Sequence, residues 1–193
     1  MSDRVLGEAC SLQRDIQIKK RYIEVLPIGS ISQELVDYII RIIEEKFSTP
    51  ARVGQAIPVP AGALNRRRGQ YNASIILEEI SRHRAAKAVK ALGVIEDDLF
   101  ARGLNYIFGQ AKLGGCCGII SLARLREGTE GPGGERLFFE RVKKEAVHEL
   151  GHTFGLRHCL NPKCVMYYSN NIMDTDRKGA DFCPECGFPM VSP

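Results

Sequence analysis

The feature that most constrains this chain is the spacing of three of its four histidines, His148, His152 and His158. The first two are four residues apart, so on a helix they project from one face about a turn from each other and can reach the same ion. Apolar residues recur at helical spacing beside them, which predicts a helix that begins near Glu135. The core face of that helix is predicted to consist of Phe139, Val142, Ala146, Leu150 and Phe154.

The residues after the second histidine extend the pattern. Gly155 lets the chain leave the helix through a backbone conformation that other residues adopt at a cost, and His158 can then swing back as a third nitrogen ligand. Three imidazoles leave a fourth position open for water, as in catalytic rather than structural zinc sites. The first five residues of the pattern alone could occur by chance on an exposed helix. Gly155 and His158 weigh against that alternative.

A second metal site is predicted from four of the seven cysteines, Cys159, Cys164, Cys183 and Cys186. Four thiolates fill a tetrahedron and leave no open position, which is typical of structural zinc. A redox or disulfide pair is the alternative. Because His158 and Cys159 are consecutive, each of the two predicted zinc ions should restrain the other.

The motif H-E-x-x-H-x-x-G-x-x-H followed by Met166 resembles the metzincin clan of zinc peptidases, and this resemblance covers the C-terminal third. The four cysteines are similar to the signature of one family within the clan, the archaemetzincins. The family resemblance extends over most of the chain, including the less specific stretches at residues 68–71 (RGQY) and 108–111 (FGQA).

The resemblance implies a zinc metallopeptidase that acts on peptides or proteins. Glu149 would be the general base, which takes a proton from a zinc-activated water and later delivers it to the leaving amine, without a covalent intermediate. Met166 would form a methionine turn beneath the metal. Tyr168 could donate a hydrogen bond to the oxyanion, or it could be only a packed aromatic. One alternative is a catalytically silent zinc protein that binds peptide in its cleft. The sequence also does not decide between an endopeptidase and an aminopeptidase.

The order of the elements predicts an α/β (α+β) fold with a mixed, mostly parallel, twisted sheet, backed by helices. In chain order we expect a strand over residues 17–28, a helix capped by Ser32 and ending near Phe47, a strand over 53–59, a helix over 72–92 ending at Gly93, strands over 94–100, 104–111 and 118–125, and the histidine helix. By resemblance, the segment 104–111 would be the antiparallel edge strand that pairs with substrate, and the alternative is that it is simply a covered edge. We expect a single domain, with an N-terminal lobe to about residue 155 and a small zinc-stapled C-terminal lobe over about 156–193.

Composition limits the partners. The chain has 193 residues, 44% of them hydrophobic, and a formal net charge of +4, which is small for a nucleic-acid-binding protein. The arginines at residues 66–68 are interpreted as a solvated loop, with a substrate or nucleic-acid contact as the alternative, and Cys116 and Cys117 as small buried side chains. No signal-peptide core or membrane span is recognised, and the odd cysteine number fits a reducing compartment. These observations predict a cytoplasmic monomer without disulfides.

Overall fold

The computed structural model describes residues 21–187, so the start of the predicted first strand and the last residues of the chain lie outside the described part. Eight strands and four helices are found in this range. The strands are β1 (Tyr22–Ile28), β2 (Ala51–Val53), β3 (Leu64–Asn65), β4 (Gln70–Asn72), β5 (Ala88–Ile95), β6 (Leu99–Phe100), β7 (Gly109–Ala111) and β8 (Cys117–Ser121). The helices are α1 (Gln33–Phe47), α2 (Ala73–His83), α3 (Gly134–Thr153) and α4 (Ile172–Arg177).

The main sheet has five strands in the order β2-β1-β5-β8-β7. All neighbours in it are parallel except β7, which pairs antiparallel with β8 at one edge. The predicted fold class is therefore confirmed, including the antiparallel edge strand. That strand is shorter than expected, because only Gly109–Ala111 form strand pairs with β8, while Ile107 makes an isolated bridge to Leu99.

Helices cover both faces of this sheet, and for that reason the central strands are apolar on both sides. Alternate residues of β8 show the two environments: Ile120 packs with α1 and α3, whereas Ile119 packs with α2. Helix α1 begins at the predicted cap, where the Ser32 hydroxyl accepts a hydrogen bond from the Leu35 amide. Helix α3 carries the histidine motif and packs on the same face as α1, against β8 and β7.

The predicted helix over residues 72–92 is wrong in its second half. Helix α2 ends at His83, and β5 begins at Ala88 and runs through Gly93. Gly93 is a close-packing position rather than a helix cap, since a Cβ there would lie 2.3 Å from Ile80 Cδ1. The predicted second strand is also displaced: β2 spans Ala51–Val53, and Ile57 makes only an isolated bridge to Ile28.

The remaining elements frame one end of the sheet. Strands β3, β4 and β6 form a small second sheet, and α4 follows the segment that contains Met166. Between residues 21 and 187, no helix combines the length and apolar character needed to cross a bilayer.

Candidate metal and catalytic site

Helix α3 places the histidine motif in the interior. His148 and Glu149 are buried, and His152 is partly buried near the end of the helix. The helix ends at Thr153, the chain then turns at Gly155, which has φ of +94°, and the Leu156 amide donates back to the Gly151 carbonyl. This turn reverses the chain and returns His158, which is exposed, toward the other two imidazoles.

The structure brings the three imidazoles together. His152 Nε2 lies 3.1 Å from His148 Nε2 and 3.2 Å from His158 Nε2. His148 Nδ1 lies 2.8 Å from the Val165 carbonyl oxygen, and His152 Nδ1 lies 2.7 Å from that of Leu156. A carbonyl only accepts, so these two Nδ1 atoms carry the protons and the Nε2 lone pairs point inward. Converging nitrogen lone pairs fit one metal ion.

Burial keeps these rings in the metal-binding form. The pKa of His148 lies well below its usual value, first because the ring is buried and then because of the Lys178 charge. Burial also lowers the pKa values of His152 and His158. The rings are therefore neutral at neutral pH, as metal ligation by imidazole requires.

Glu149 lies beside the imidazoles with no partner for one of its oxygens. Burial, and then the charge of Glu145, raises the pKa of Glu149 well above its usual value. Its Oε2 atom is buried and accepts no hydrogen bond from any residue in the described range. Gly109 on β7 packs directly against it, since a Cβ at Gly109 would lie 2.6 Å from Glu149 Cγ. A buried carboxylate of raised pKa is suited to taking up and releasing a proton.

A cavity of about 460 Å³ opens over these groups. One wall is the loop before β7 together with β7 itself, and the opposite wall is formed by residues 168–170. Four buried side-chain polar atoms in the described range have no hydrogen-bond partner, and three of them belong to cavity-lining residues: Gln110 Oε1, Glu149 Oε2 and Ser169 Oγ. Unpaired buried polar atoms are costly, so this cavity is suited to a polar ligand such as a peptide backbone.

Met166 and Tyr168 lie at different depths. Met166 is fully buried beneath helix α3, where a Cβ at Gly151 would come within 2.5 Å of its sulfur. Tyr168 lines the cavity and is 40% exposed, with its ring centroid 4.8 Å from that of His158. Met166 therefore packs against the helix turn between His148 and His152, and the Tyr168 ring borders His158.

The four predicted cysteines also converge. The sulfurs of Cys159, Cys164, Cys183 and Cys186 all lie within 4.8 Å of one another, and those of Cys159 and Cys183 are 3.7 Å apart. Zn–S bonds of about 2.3 Å in a tetrahedron place sulfurs about 3.8 Å apart, so this spacing fits zinc. The backbone amide of Cys186 is the main cause that lowers the pKa of Cys183 to about 7. The six cysteines of the described range are free thiols.

One residue connects the two clusters. The carbonyl of Val165 lies 2.8 Å from His148 Nδ1, while its amide donates to the Asp181 carbonyl at 2.9 Å. Val165 follows Cys164 directly, and the Cys159 amide donates to the Met166 carbonyl at 2.9 Å. The cysteine cluster thus borders the backbone that orients His148.

Three parts of the site were not predicted from the sequence. Arg68 donates to the carbonyls of Leu104 and Asn105 and so holds the cavity's rim loop, instead of being only solvated as expected. Glu145 and Lys178 form a buried ion pair on the cavity floor, with 2.9 Å between Lys178 Nζ and Glu145 Oε1. Glu145 lies one helical turn before Glu149, and this spacing could have indicated that both side chains face the same site. Nothing in the sequence points to Lys178.

Comparison with known proteins gives a consistent result. The model for peptidase family M54 matches residues 15–190. The archaemetzincin of Pyrococcus furiosus is 42% identical over 169 residues, which covers 84% of this chain and 88% of the relative. The archaemetzincin of Archaeoglobus fulgidus is 39% identical over 168 residues, covering 86% and 96%.

Solved structures are similar over the same range. The crystal structure of the Archaeoglobus fulgidus archaemetzincin complexed with malonate has a TM-score of 0.74 and 36% identity, covering 86% of this chain and 97% of that one. The structure from Methanopyrus kandleri has a TM-score of 0.76 and 34% identity, covering 89% and 94%.

Proposed function

This chain belongs to peptidase family M54, the archaemetzincins, and is a zinc metallopeptidase; from that premise we propose that it cleaves peptide bonds in the cavity between β7 and residues 168–170. His148, His152 and His158 would hold one zinc ion, and Glu149 would be the general base. The observation that carries this proposal is the position of a buried, unpartnered carboxylate oxygen beside three converging imidazole nitrogens.

When bound, the zinc would act as a Lewis acid on the scissile carbonyl and would acidify a water molecule. Glu149 would accept a proton from the attacking water, since its surroundings favour the protonated carboxyl. It would then deliver that proton to the leaving nitrogen. The same group can perform both transfers, because a carboxylate accepts a proton when ionised and donates it once protonated.

The residues around Glu149 would hold the substrate. Strand β7 has its outer edge free within the described range, so its backbone could pair with an extended peptide. Gln110 adds a side-chain oxygen that lacks a donor and could accept from a substrate amide. Tyr168 could donate its hydroxyl to the developing oxyanion, since its ring borders His158 in the same cavity.

We propose that a second zinc ion, held by the four cysteines, is structural. Closed four-thiolate sites leave no position for substrate, and the cluster lies outside the cavity lining. On this reading the chain works as one peptidase domain whose lobe from about residue 156 is stapled by that ion. The free thiols are compatible with the proposed reducing, cytoplasmic location.

The direct test is Glu149→Ala in zinc-loaded protein. We expect the zinc content to stay at the wild-type level, because Glu149 is not a proposed ligand, while turnover of a mixed peptide library is lost. Glu34→Ala, a substitution of an exposed glutamate on α1, is the matched control and should retain turnover. Wild-type activity in Glu149→Ala would contradict the general-base role, and peptide binding without turnover in the wild type would indicate a catalytically silent binding protein.

A further inference from the structure

The floor of the catalytic cavity holds a buried cation that the proposed reaction does not use. Lys178 lines the cavity but is only 2% exposed. It is the one lysine or arginine among the residues that line this cavity. A buried ammonium is costly unless its charge and its hydrogen-bonding capacity are satisfied, so its partners determine what it can bind.

The partners within the described range satisfy Lys178 only in part. Its Nζ atom donates to Glu145 Oε1 at 2.9 Å. The next polar atom is His148 Nδ1 at 3.5 Å, which already donates its own proton to the Val165 carbonyl and therefore cannot accept. An ammonium has three N–H donors, and this environment offers an acceptor to one of them.

The other half of the ion pair is better satisfied. The same Glu145 oxygen accepts hydrogen bonds from Lys178 and from the Thr175 hydroxyl at 3.2 Å. A cationic ligand would have to compete with Lys178 for this carboxylate. An anionic ligand would instead supply the acceptors that Lys178 lacks.

The shape of the cavity limits what can reach this floor. The Tyr106 hydroxyl donates to the Asn170 carbonyl at 3.2 Å and so joins the two walls. The Arg124 guanidinium stacks on the Tyr106 ring, 3.9 Å from its centroid, and pairs with Asp98, which keeps the ring in place. This bridge favours a short group that ends inside the cavity over a polypeptide that continues through it.

We propose that Lys178 determines specificity by binding a carboxylate of the substrate close to the scissile bond. The carboxylate would be either an acidic side chain or the C-terminal carboxylate of a short peptide, and both have two oxygens that can accept from the free N–H groups. This inference rests on the proposed peptidase function and names the substrate class of the same cavity.

Matched peptides test it with zinc-loaded wild-type protein. Each peptide carries either Asp or Asn at the positions flanking the cleaved bond, and either a free or an amidated C-terminus, so that the two sources of carboxylate are separated. We expect kcat/KM to be about 10- to 100-fold higher for a carboxylate in one of these arms, the range of a hydrogen bond to a charged group. Equal rates in all arms, or faster turnover of the Asn and amidated peptides, would overturn the proposal.

Two variants link the preference to Lys178. Lys178→Met removes the charge but leaves Glu145 buried without its partner, which can prevent folding. The double variant Lys178→Met/Glu145→Met replaces the whole pair by apolar side chains and keeps the test possible. In either variant the ratio of acid to amide turnover should fall to about one, whereas Lys87→Met, at an exposed lysine, should keep the wild-type ratio. A ratio that persists in the double variant would mean that zinc binds the carboxylate, and would refute the role of Lys178.

An equilibrium measurement separates this inference from the proposed reaction. Zinc-loaded Glu149→Ala is titrated calorimetrically with the acid and amide peptides, with and without the double substitution. If the acid peptide binds at least tenfold more tightly than the amide peptide, and this difference is lost in the double variant, the carboxylate-binding role of Lys178 is supported even if the wild type cleaves nothing. Conversely, turnover of all peptides with equal binding would leave the peptidase function standing and refute carboxylate recognition.

Discussion

Gly109 is the position where one added methyl group should disable the site. It lies on β7, with Glu149 on one side and the backbone of β8 on the other. A Cβ at Gly109 would lie 2.6 Å from Glu149 Cγ, 2.7 Å from Glu149 Oε1 and 2.7 Å from the Ile119 carbonyl oxygen. The Ile119 oxygen belongs to a strand that is paired on both sides and cannot yield without loss of sheet hydrogen bonds. Gly109→Ala must therefore displace Glu149 or detach β7.

The size of the effect follows from these distances. Ordinary contact begins near 3.4 Å, so the Glu149 side chain would have to retreat by about 0.8 Å, the difference between 3.4 and 2.6 Å. A misplacement of about 1 Å can lower the rate by about 10²-fold. Overpacking of this kind also costs about 1–3 kcal/mol, which for a chain of this size corresponds to a Tm lower by roughly 2–12 °C.

A graded series makes this measurement specific. At Gly62 an added Cβ meets nothing within 4 Å, and at Gly118 it would meet Ala111 Cβ at 3.3 Å and Glu149 Cβ at 3.4 Å. We expect both kcat/KM and Tm to decrease in the order Gly62→Ala, Gly118→Ala, Gly109→Ala, with Gly62→Ala equal to the wild type. Zinc content is measured in parallel to separate loss of metal from displacement of Glu149. If Gly109→Ala matches Gly62→Ala in both kcat/KM and Tm, the close contact between β7 and Glu149 is not as inferred.

Two further predictions concern the cysteines. Cys183→Ser should loosen the C-terminal lobe and weaken zinc binding at the histidine site by roughly tenfold, in the range for residues that orient metal ligands. Chelator competition measures the zinc affinity, and Cys116→Ser is the control. Equal zinc affinity in Cys183→Ser and the wild type would show that the two sites are independent. Although burial opposes it, hydrogen bonds with Cys117 and Ser81 and the charge of Arg84 lower the pKa of Cys116, whereas burial and Cys116 itself raise that of Cys117 to about 12. Iodoacetamide should therefore alkylate Cys116 first, at a rate that rises with pH until the thiol is ionised, and mass spectrometry that finds Cys117 modified first would contradict this order.

The convergence of the three histidines could be predicted from the sequence because helix geometry fixes most of their relative positions. His148 and His152 are one turn apart on any α-helix, and Gly155 can adopt the left-handed conformation that returns His158. The local pattern therefore contains most of the geometry of the histidine cluster. The edge strand was also predictable, although its length was not, since residues 104–106 lie in a loop on the cavity rim and Ile107 makes only an isolated bridge to Leu99.

Long-range contacts decided the rest. Residues 85–92 have apolar side chains at spacings that fit a helix, but a strand buried on both faces has a similar composition. The segment is a strand because β5 lies between β1 and β8, in the centre of the sheet. Likewise, Lys178 and Glu145 are 33 positions apart in the sequence and meet only in the fold, so no local pattern predicts the pair.

The segment after residue 155 shows why the proposed third zinc ligand and the cysteine cluster would be joined. Its one described α-helix, α4, has six residues, and His158 is exposed and touches His148, His152 and Tyr168 through its ring, so the helices of this segment do little to fix that imidazole. Its neighbour Cys159 restrains it further, because the Cys159 amide donates to the Met166 carbonyl and the Cys159 sulfur belongs to the four-cysteine cluster. His152, by contrast, lies on α3 and is oriented by the nearby Leu156 carbonyl. Loss of the thiolate cluster should therefore disturb His158, and His148 through Val165, more than His152.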